Sequence, residues 1–248
     1  MRTRRVYLDA DFETGTTLDL PAQIVNYLRN VLRLKDGQPL MLFNGRGLNA
    51  HATLGLARRT ASVSIEQVAT SPAERSLPIT LLAALAKGEK MDWIIQKAVE
   101  LGVQQIVPVT TERAVLDLTG KRAEKRLQRW QQIMVHACVQ CGRDFLPQLH
   151  PITDLTNGLE QVQTNQAKLI LDPRATQPLT DLQSQTPPES AAFLVGPEGG
   201  FTEDEVTNAC QSGFVALSLG PRILRAETAA ITGMAILQYQ WGDLGNLD

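Results

Sequence analysis

The sequence predicts an α/β protein in two parts: a small β-rich N-terminal fold, then a larger parallel sheet covered by helices. Three observations predict it. Residues 1–70 hold short strand candidates separated by tight-turn signals. From residue 79 onward, apolar runs alternate with helical patterns, the mark of a parallel sheet sandwiched by helices. Near the C-terminus two apolar strands each run into a Gly-Pro break and then a helix start: Phe193-Leu194-Val195-Gly196-Pro197-Glu198-Gly199-Gly200-Phe201 and Leu217-Ser218-Leu219-Gly220-Pro221-Arg222-Ile223-Leu224-Arg225.

In the first part, residues 6–8, 39–43, 51–54 and 61–65 are the strand candidates. Asn44-Gly45-Arg46-Gly47 is a hairpin turn. One helix is expected over 21–34, with Pro21 in its first turn and Asp19 as a cap. Several short strands with tight turns fit a small barrel or compact sheet. Residues 70–78 are polar and Pro-bounded, the best linker. Residues 79–86 are continuously apolar, as in a strand buried on both faces. A helix over 90–102 follows, stopped by Gly102, then a strand over 105–109 and a long helix over 121–141. Strands over 168–171, 192–195 and 215–219 and helices over 203–211 and 227–240 complete the alternation. The last helix is apolar nearly all round, so it must be buried in the core or against a second subunit. The Gln/Ser/Thr/Pro-rich stretch 177–190 reads as a loop. Pattern alone predicts an unknotted doubly wound sheet, because true knots are rare.

Composition narrows the class. The hydrophobic content of 43% supplies a core, and a formal charge of -2 excludes a basic nucleic-acid coat. The sign is uneven: residues 1–75 carry ten Lys/Arg against seven Asp/Glu, and residues 76–248 carry fourteen against nineteen. A basic first part is compatible with a local anionic partner or with ordinary surface imbalance. The opening Met1-Arg2-Thr3-Arg4-Arg5 leads into a β-like stretch rather than a secretory apolar segment, and no apolar run has membrane-spanning length. Three Cys imply no disulfide framework. Cys138 and Cys141 form a C-x-x-C without a second pair, which reads as reduced thiols and not as a metal site. His51, His136 and His150 are scattered. The expected compartment is the cytoplasm.

The two Gly-Pro junctions are the candidate site. Open α/β sheets bind ligands at the C-terminal ends of their strands, and glycine lets backbone approach a ligand closely. Gly196 and Gly220 serve either that purpose or a plain strand-end turn. Glu198, between Pro197 and Gly199, either fixes the loop or contacts a ligand. Thr202 and Glu205 have capping-box spacing. Arg222 and Arg225 flank Ile223-Leu224, where their planar forks suit phosphate or a reacting base. Glu227 opens the last helix, where free N–H groups stabilise a carboxylate; a catalytic role stands beside that structural one. Lys87 and Lys90 open the first helix of the second part. Positive charge there opposes the helix dipole, which favours a functional reading. Lys121, Arg122, Lys125, Arg126 and Arg129 form a basic helix face.

Several motifs, taken together, resemble the RsmE family, which methylates a uridine of bacterial 16S ribosomal RNA. They are Val31-Leu32-Arg33 with Leu42-Phe43-Asn44-Gly45, Lys87-Gly88-Glu89-Lys90-Met91-Asp92, Glu100-Leu101-Gly102-Val103, Arg113 after a strand, Gln140-Cys141-Gly142-Arg143, and the two Gly-Pro junctions with Glu227-Thr228. The likeness covers nearly the whole chain and departs at Asn26-Tyr27, where many relatives carry a His. It implies a PUA-like RNA-binding β-barrel over 1–72 and a SPOUT methyltransferase domain over 76–248 with a C-terminal trefoil knot. It also implies S-adenosylmethionine as methyl donor, transfer to uridine N3, a homodimer, and 16S rRNA within the small ribosomal subunit as partner. On that reading Leu171, Leu194, Gly196, Glu198, Gly199, Leu217, Leu219, Gly220, Ile223 and Leu224 hold the cofactor. Arg225 stabilises the developing uridine anion and Glu227 accepts the proton. Arg4, Arg5, Arg33, Lys87, Lys90, Arg113, Arg143 and Arg222 meet RNA. Two rivals stay open. A nucleotide-dependent enzyme acting on small molecules lacks its G-x-G-x-x-G after the first strand. A non-catalytic RNA-binding module would not need the intact junctions.

Overall fold

The computed structural model describes residues 4–114, 118–177 and 186–245. The chain divides into two compact units. One comprises Met1–Glu74 with Cys138–Leu146, the other Arg75–Ala137 with Pro147–Asp248.

The first unit is a five-stranded sheet in the order β1-β3-β4-β5-β2. Its strands are β1 (Arg4–Tyr7), β2 (Thr17–Asp19), β3 (Pro39–Phe43), β4 (Leu48–Leu56) and β5 (Ala61–Thr70). β1 pairs parallel to β3 and the other ladders are antiparallel, with a register shift between His51 and Ala52 of β4. Alternate residues point inward: Leu40, Leu42, Ala52, Leu54, Val63 and Ile65 are buried with Val25 and Leu28 from the helical segment. The single helix expected over 21–34 is shorter and distorted. α1 (Ala22–Asn26) runs into a π-helical turn over Tyr27–Val31. Asp19 lies in β2 rather than capping the helix, and Pro21 holds the cap position with an extended backbone. The helix ends because Arg33 takes a left-handed φ of 53°, which lets Leu34 N–H bond the Leu28 carbonyl at 2.9 Å. Arg33 is the only non-glycine residue with positive φ among the described residues, a strain of about 1 kcal/mol or more.

Residues 138–146 belong to this unit through a buried polar cluster. Asp144 accepts from Arg5 Nη2 at 2.6 Å, from Asn49 Nδ2 at 2.9 Å and from Ser71 Oγ. Arg143 forms a bidentate pair with Glu74, at 2.7 and 2.6 Å. The Asn44–Gly47 turn joins β3 to β4 as expected, but its glycines have a second purpose. A Cβ on Gly47 would lie 2.5 Å from the Phe145 ring, and one on Gly45 would lie 3.0 Å from Leu146 Cβ. Cys138 is buried, and that burial pushes its thiol up to about 12, so it is inert as a nucleophile.

The second unit is a parallel sheet in the order β12-β10-β11-β6-β7-β8, with β9 also pairing β7. Its strands are β6 (Ile79–Ala84), β7 (Gln105–Thr110), β8 (Gln148–Leu149), β9 (Thr153–Asp154), β10 (Ala167–Leu171), β11 (Ala191–Val195) and β12 (Val215–Leu217). Its helices are α2 (Lys90–Glu100), α4 (Leu155–Gln161), α5 (Glu203–Gln211) and α6 (Ala226–Trp241), with α3 (Gly120–Cys141) as far as residue 137. β6 and β11 are buried at every position, as a strand covered on both faces must be. α2 and α6 pack together, and α6 lies on β11 so closely that a Cβ on Gly233 would meet the Phe193 ring at 2.1 Å. Asp92 of α2 is buried and accepts from Trp130 Nε1 at 3.0 Å and Arg129 Nε at 2.8 Å, which ties α3 to α2. The buried Gln238 pairs both its amide atoms with the backbone of Leu77, at 2.9 and 3.0 Å. Ser76 and Leu77 are therefore buried, so the polar stretch 70–78 is not wholly an exposed linker.

α5 carries the expected capping box from Thr202 and Glu205. α6 is buried along one face only (Ala226, Ala230, Gly233, Met234, Leu237, Gln238), and Tyr239 stands 69% exposed. α4, β2 and the two-residue strands were not expected from the sequence. Of the 177–190 loop, residues 178–185 lie outside the described residues.

Candidate active site

The sheet changes direction between β6 and β11: the chain steps one way from β6 to β7 and the other way to β11, β10 and β12. Ligands bind at such switch points, outside the C-terminal strand ends. A cleft of about 470 Å³ lies there. Leu171, Val195 and Leu217, the last residues of β10, β11 and β12, line it together with the loops that follow them and with Ala226 and Ala229 of α6.

Three cations hold the 196–201 loop. Lys90 Nζ pairs with Glu198 Oε1 at 2.6 Å, and Lys87 N–H reaches the same oxygen at 3.3 Å. Arg113 Nη1 donates to the carbonyls of Gly199 and Phe201, at 3.2 and 3.3 Å. Arg174 Nη2 also reaches the Phe201 carbonyl, at 3.4 Å, while its Nε and Nη2 bind the Asp172 carboxylate at 3.0 to 3.2 Å. Burial pushes the Glu198 carboxyl upward, but hydrogen bonds from Lys90 and from backbone N–H groups outweigh this and leave it below the usual range. Asp172 behaves alike: burial raises it, and the Arg174 guanidinium and N–H bring it below the usual range. The dipole cost of Lys90 at the head of α2 is thus met by Glu198.

Glycine is needed here for close approach. A Cβ on Gly196 would lie 2.9 Å from the Phe201 ring, and one on Gly199 would lie 3.0 Å from Arg113 Cβ. Gly220 differs: φ is +100° with nothing within 4 Å of a built Cβ, so its backbone faces open space in a conformation other residues resist. Lys90, Arg113, Arg174, Arg222 and Arg225 line the cleft against only Asp172 and Glu198, so it carries a positive excess suited to an anionic substrate.

Most of the expected site residues meet here: Leu171, Gly196, Glu198, Gly199, Leu217, Leu219, Gly220, Ile223, Leu224, Lys90, Arg113, Arg222 and Arg225 all line the cleft. Lys87 adjoins it through its backbone. The other expected residues lie elsewhere. Leu194 is fully buried in the core beneath the cleft, because it points into the sheet's packed face. Glu227 is not among the cleft's lining residues, and its Oε2 is buried without a hydrogen-bond partner among the described residues. Arg5 and Arg143 pair with Asp144 and Glu74, with side chains only 20% and 11% exposed. Arg4 and Arg33 are exposed and belong to the first unit. The sequence reading missed Asp172 and Arg174. Their signal was present: a carboxylate, Pro173 and a guanidinium directly after an apolar strand.

Comparison with known proteins identifies the family. Residues 73–238 match the family model of an RNA methyltransferase domain, and residues 20–66 match that of an RNA methyltransferase PUA domain. The chain is 30% identical to ribosomal RNA small subunit methyltransferase E of Buchnera aphidicola (subsp. Schizaphis graminum), over 98% of both chains. The chain belongs to the ribosomal RNA small subunit methyltransferase E family. A relative of that name from Bacillus subtilis is 30% identical over 92% of each chain. The solved structure of the Neisseria gonorrhoeae family member bound to S-adenosyl methionine superposes with a TM-score of 0.88, at 39% identity over 98% of this chain and 99% of that one. The family fold, a PUA domain and a parallel-sheet SPOUT-like methyltransferase domain, is the one seen in the two units.

Proposed function

We propose that this chain methylates N3 of a uridine in 16S rRNA, with S-adenosylmethionine as donor. The single observation that carries the reading is the cleft. Its Gly-rich walls, apolar floor and positive excess lie at the switch point of a chain that belongs to a family of rRNA methyltransferases. The residues present fit the donor. Leu171, Val195, Leu217 and Leu219 offer apolar walls for an adenine ring, and the backbone around Gly196 and Gly220 offers close-approach N–H and C=O groups. Bound S-adenosylmethionine supplies an electrophilic methyl group on a sulfonium.

The protein's own residues do the rest. Lys90, Arg113 and Arg174 fix the 196–201 wall, which limits the poses open to the donor. Uridine N3 is a poor nucleophile until its proton is lost. Arg225, exposed at the head of α6 with no side-chain capping bond, stabilises the anion that develops. Arg222 on the same rim holds an adjacent phosphate. A base in structured RNA is turned out of its stack to reach them. The first unit, taken as the PUA-like part over 1–72, holds RNA, and residues 76–248 hold the donor and do the chemistry.

The proposal includes the trefoil knot and a homodimer. Membership of the methyltransferase E family supports the first. The exposed Trp93, Ile223 and Tyr239 support the second. The proposed setting is the cytoplasm, with the small ribosomal subunit as partner; no helix among the described residues is long and apolar enough to cross a membrane. Single-turnover transfer from labelled S-adenosylmethionine to 16S rRNA tests the reading. Wild type should form N3-methyluridine, and Arg225→Ala should lose about 10²–10³ in rate while still binding both ligands. A different methylated nucleoside, or normal turnover by the variant, would overturn the corresponding part.

A further inference from the structure

We propose that the tip of the β4–β5 hairpin and the turn after the π-helix form one clamp for an RNA phosphate backbone. Arg33, Arg58 and Arg59 are its contacts, and Arg29 is its positioning residue. The inference rests on the rRNA reading above and moves the gripping surface away from Arg5.

Arg29 builds the platform. Its guanidinium donates to three carbonyls of the hairpin tip: Arg58 at 2.7 Å, Thr60 at 3.0 Å, and Ala57. The following segment is fastened to the same hairpin. Asp36 accepts from Leu56 N–H at 2.7 Å, and Gly37 N–H bonds the Leu54 carbonyl at 2.8 Å. Residues 29–37 and 54–60 thus form one rigid corner.

The residue choice at this corner departs from local preference. Ala57 N–H bonds the Thr60 carbonyl at 3.1 Å, which leaves Arg58 and Arg59 as the two central residues of the tip. Short hairpin tips favour Asn-Gly or Asp-Gly in left-handed backbone, yet here two arginines stand there and neither is left-handed. The one residue that is left-handed, Arg33, is again an arginine where glycine would be unstrained. Conflict between local preference and structure gathers at functional sites.

The charges are also free. Arg33, Arg58 and Arg59 are exposed, and none has an ion pair among the described residues, whereas Arg5, Arg46 and Arg143 of the same unit are all paired with carboxylates. Asp36, the carboxylate within the corner, is engaged by backbone. Val31, two residues before Arg33, is 65% exposed, an apolar contact for a ribose or base. Three guanidiniums without an ion pair among the described residues, on one hydrogen-bonded corner, complement a phosphate chain.

The test is titration of a labelled 16S rRNA transcript with the full chain between 50 and 200 mM salt. Arg58→Ala with Arg59→Ala should flatten the slope of log K against log salt by about 1.4–1.8, since each lost phosphate contact removes about 0.7–0.9. S-adenosylmethionine affinity, read by calorimetry, should not change. Arg29→Lys keeps the charge but loses the fork, so binding should weaken while the slope stays. Arg33→Gly should melt no lower than wild type yet bind RNA more weakly, a combination that a purely structural arginine would not give. An unchanged slope in the Arg58/Arg59 variant, with wild type methylating rRNA normally, overturns the clamp alone. If that variant instead loses binding to phosphatidylserine vesicles and keeps its RNA slope, the occupant is a membrane and the proposal is wrong. A wild type that neither binds nor methylates rRNA overturns the rRNA reading and the clamp with it.

Discussion

Replacing Asp144 by Ala should unfasten the 138–146 segment from the first unit. The carboxylate accepts from Arg5, Asn49 and Ser71, and Arg5 also stacks over the Phe43 ring at 4.7 Å. The side chains of Arg5 and Asp144 are 20% and 12% exposed. Breaking a buried pair from one side costs roughly 3–5 kcal/mol, because the other charge is left in a poorly solvated place. Partial exposure puts this pair at the low end, about 3 kcal/mol. The Arg5 Nε is already buried without a hydrogen-bond partner among the described residues. The assay is amide hydrogen exchange resolved by peptide. A loss of about 3 kcal/mol in local opening free energy speeds exchange roughly a hundredfold in peptides covering 4–7, 44–49 and 143–146. Peptides from β6 and β11 should change far less. Arg5→Met with Asp144→Leu should recover part of the loss, since an apolar pair replaces a buried ion pair at little cost. Exchange within threefold of wild type in the single variant would refute the reasoning.

Other perturbations separate packing from chemistry. Gly233→Ala should lower stability by about 2–3 kcal/mol in urea, although alanine favours a helix, because the new methyl meets Phe193; Gly233→Ala with Phe193→Leu should restore most of it. Lys90→Met should weaken cofactor binding about tenfold by freeing Glu198. Because Glu198 titrates below the usual range in the folded protein, the latch is present at and above that range and is lost only as pH falls beneath it. Cofactor affinity in wild type should therefore survive acidification through the ordinary glutamate range. Asp154 caps α4 by accepting from Asn157 N–H at 2.9 Å, which holds its carboxyl below the usual range. Asp154→Ala should cost about 1 kcal/mol near neutral pH, and the difference should vanish as pH falls through the depressed titration of Asp154.

Much of this was legible in the sequence, and the misses share a cause. The apolar runs at 79–84, 106–109 and 191–195 are strands because they are short and alternate with helical patterns, and the T-x-x-E before residue 206 is a capping box in the structure too. The Gly-Pro junctions marked the cleft because strand-end chemistry is local. Contacts made far along the chain left no local trace. Gly45 and Gly47 read only as a turn, since Phe145 lies about a hundred residues away. Arg5 and Arg143 look like any surface arginine until Asp144 and Glu74 are brought to them. Gly233 reads as a weakness in a helix until Phe193 is seen beneath it. The helix over 21–34 failed differently: its pattern was helical, but the left-handed Arg33 and the π-turn ended it early, where the proposed RNA clamp begins.

The modified nucleoside is the direct test of the activity. Nucleoside mass analysis of 16S rRNA should be made from cells with the chain, without it, and complemented with Arg225→Ala. Loss of one N3-methyluridine on deletion, restored by wild type and not by the variant, is the predicted result. An unchanged N3-methyluridine content in cells lacking the chain would contradict it.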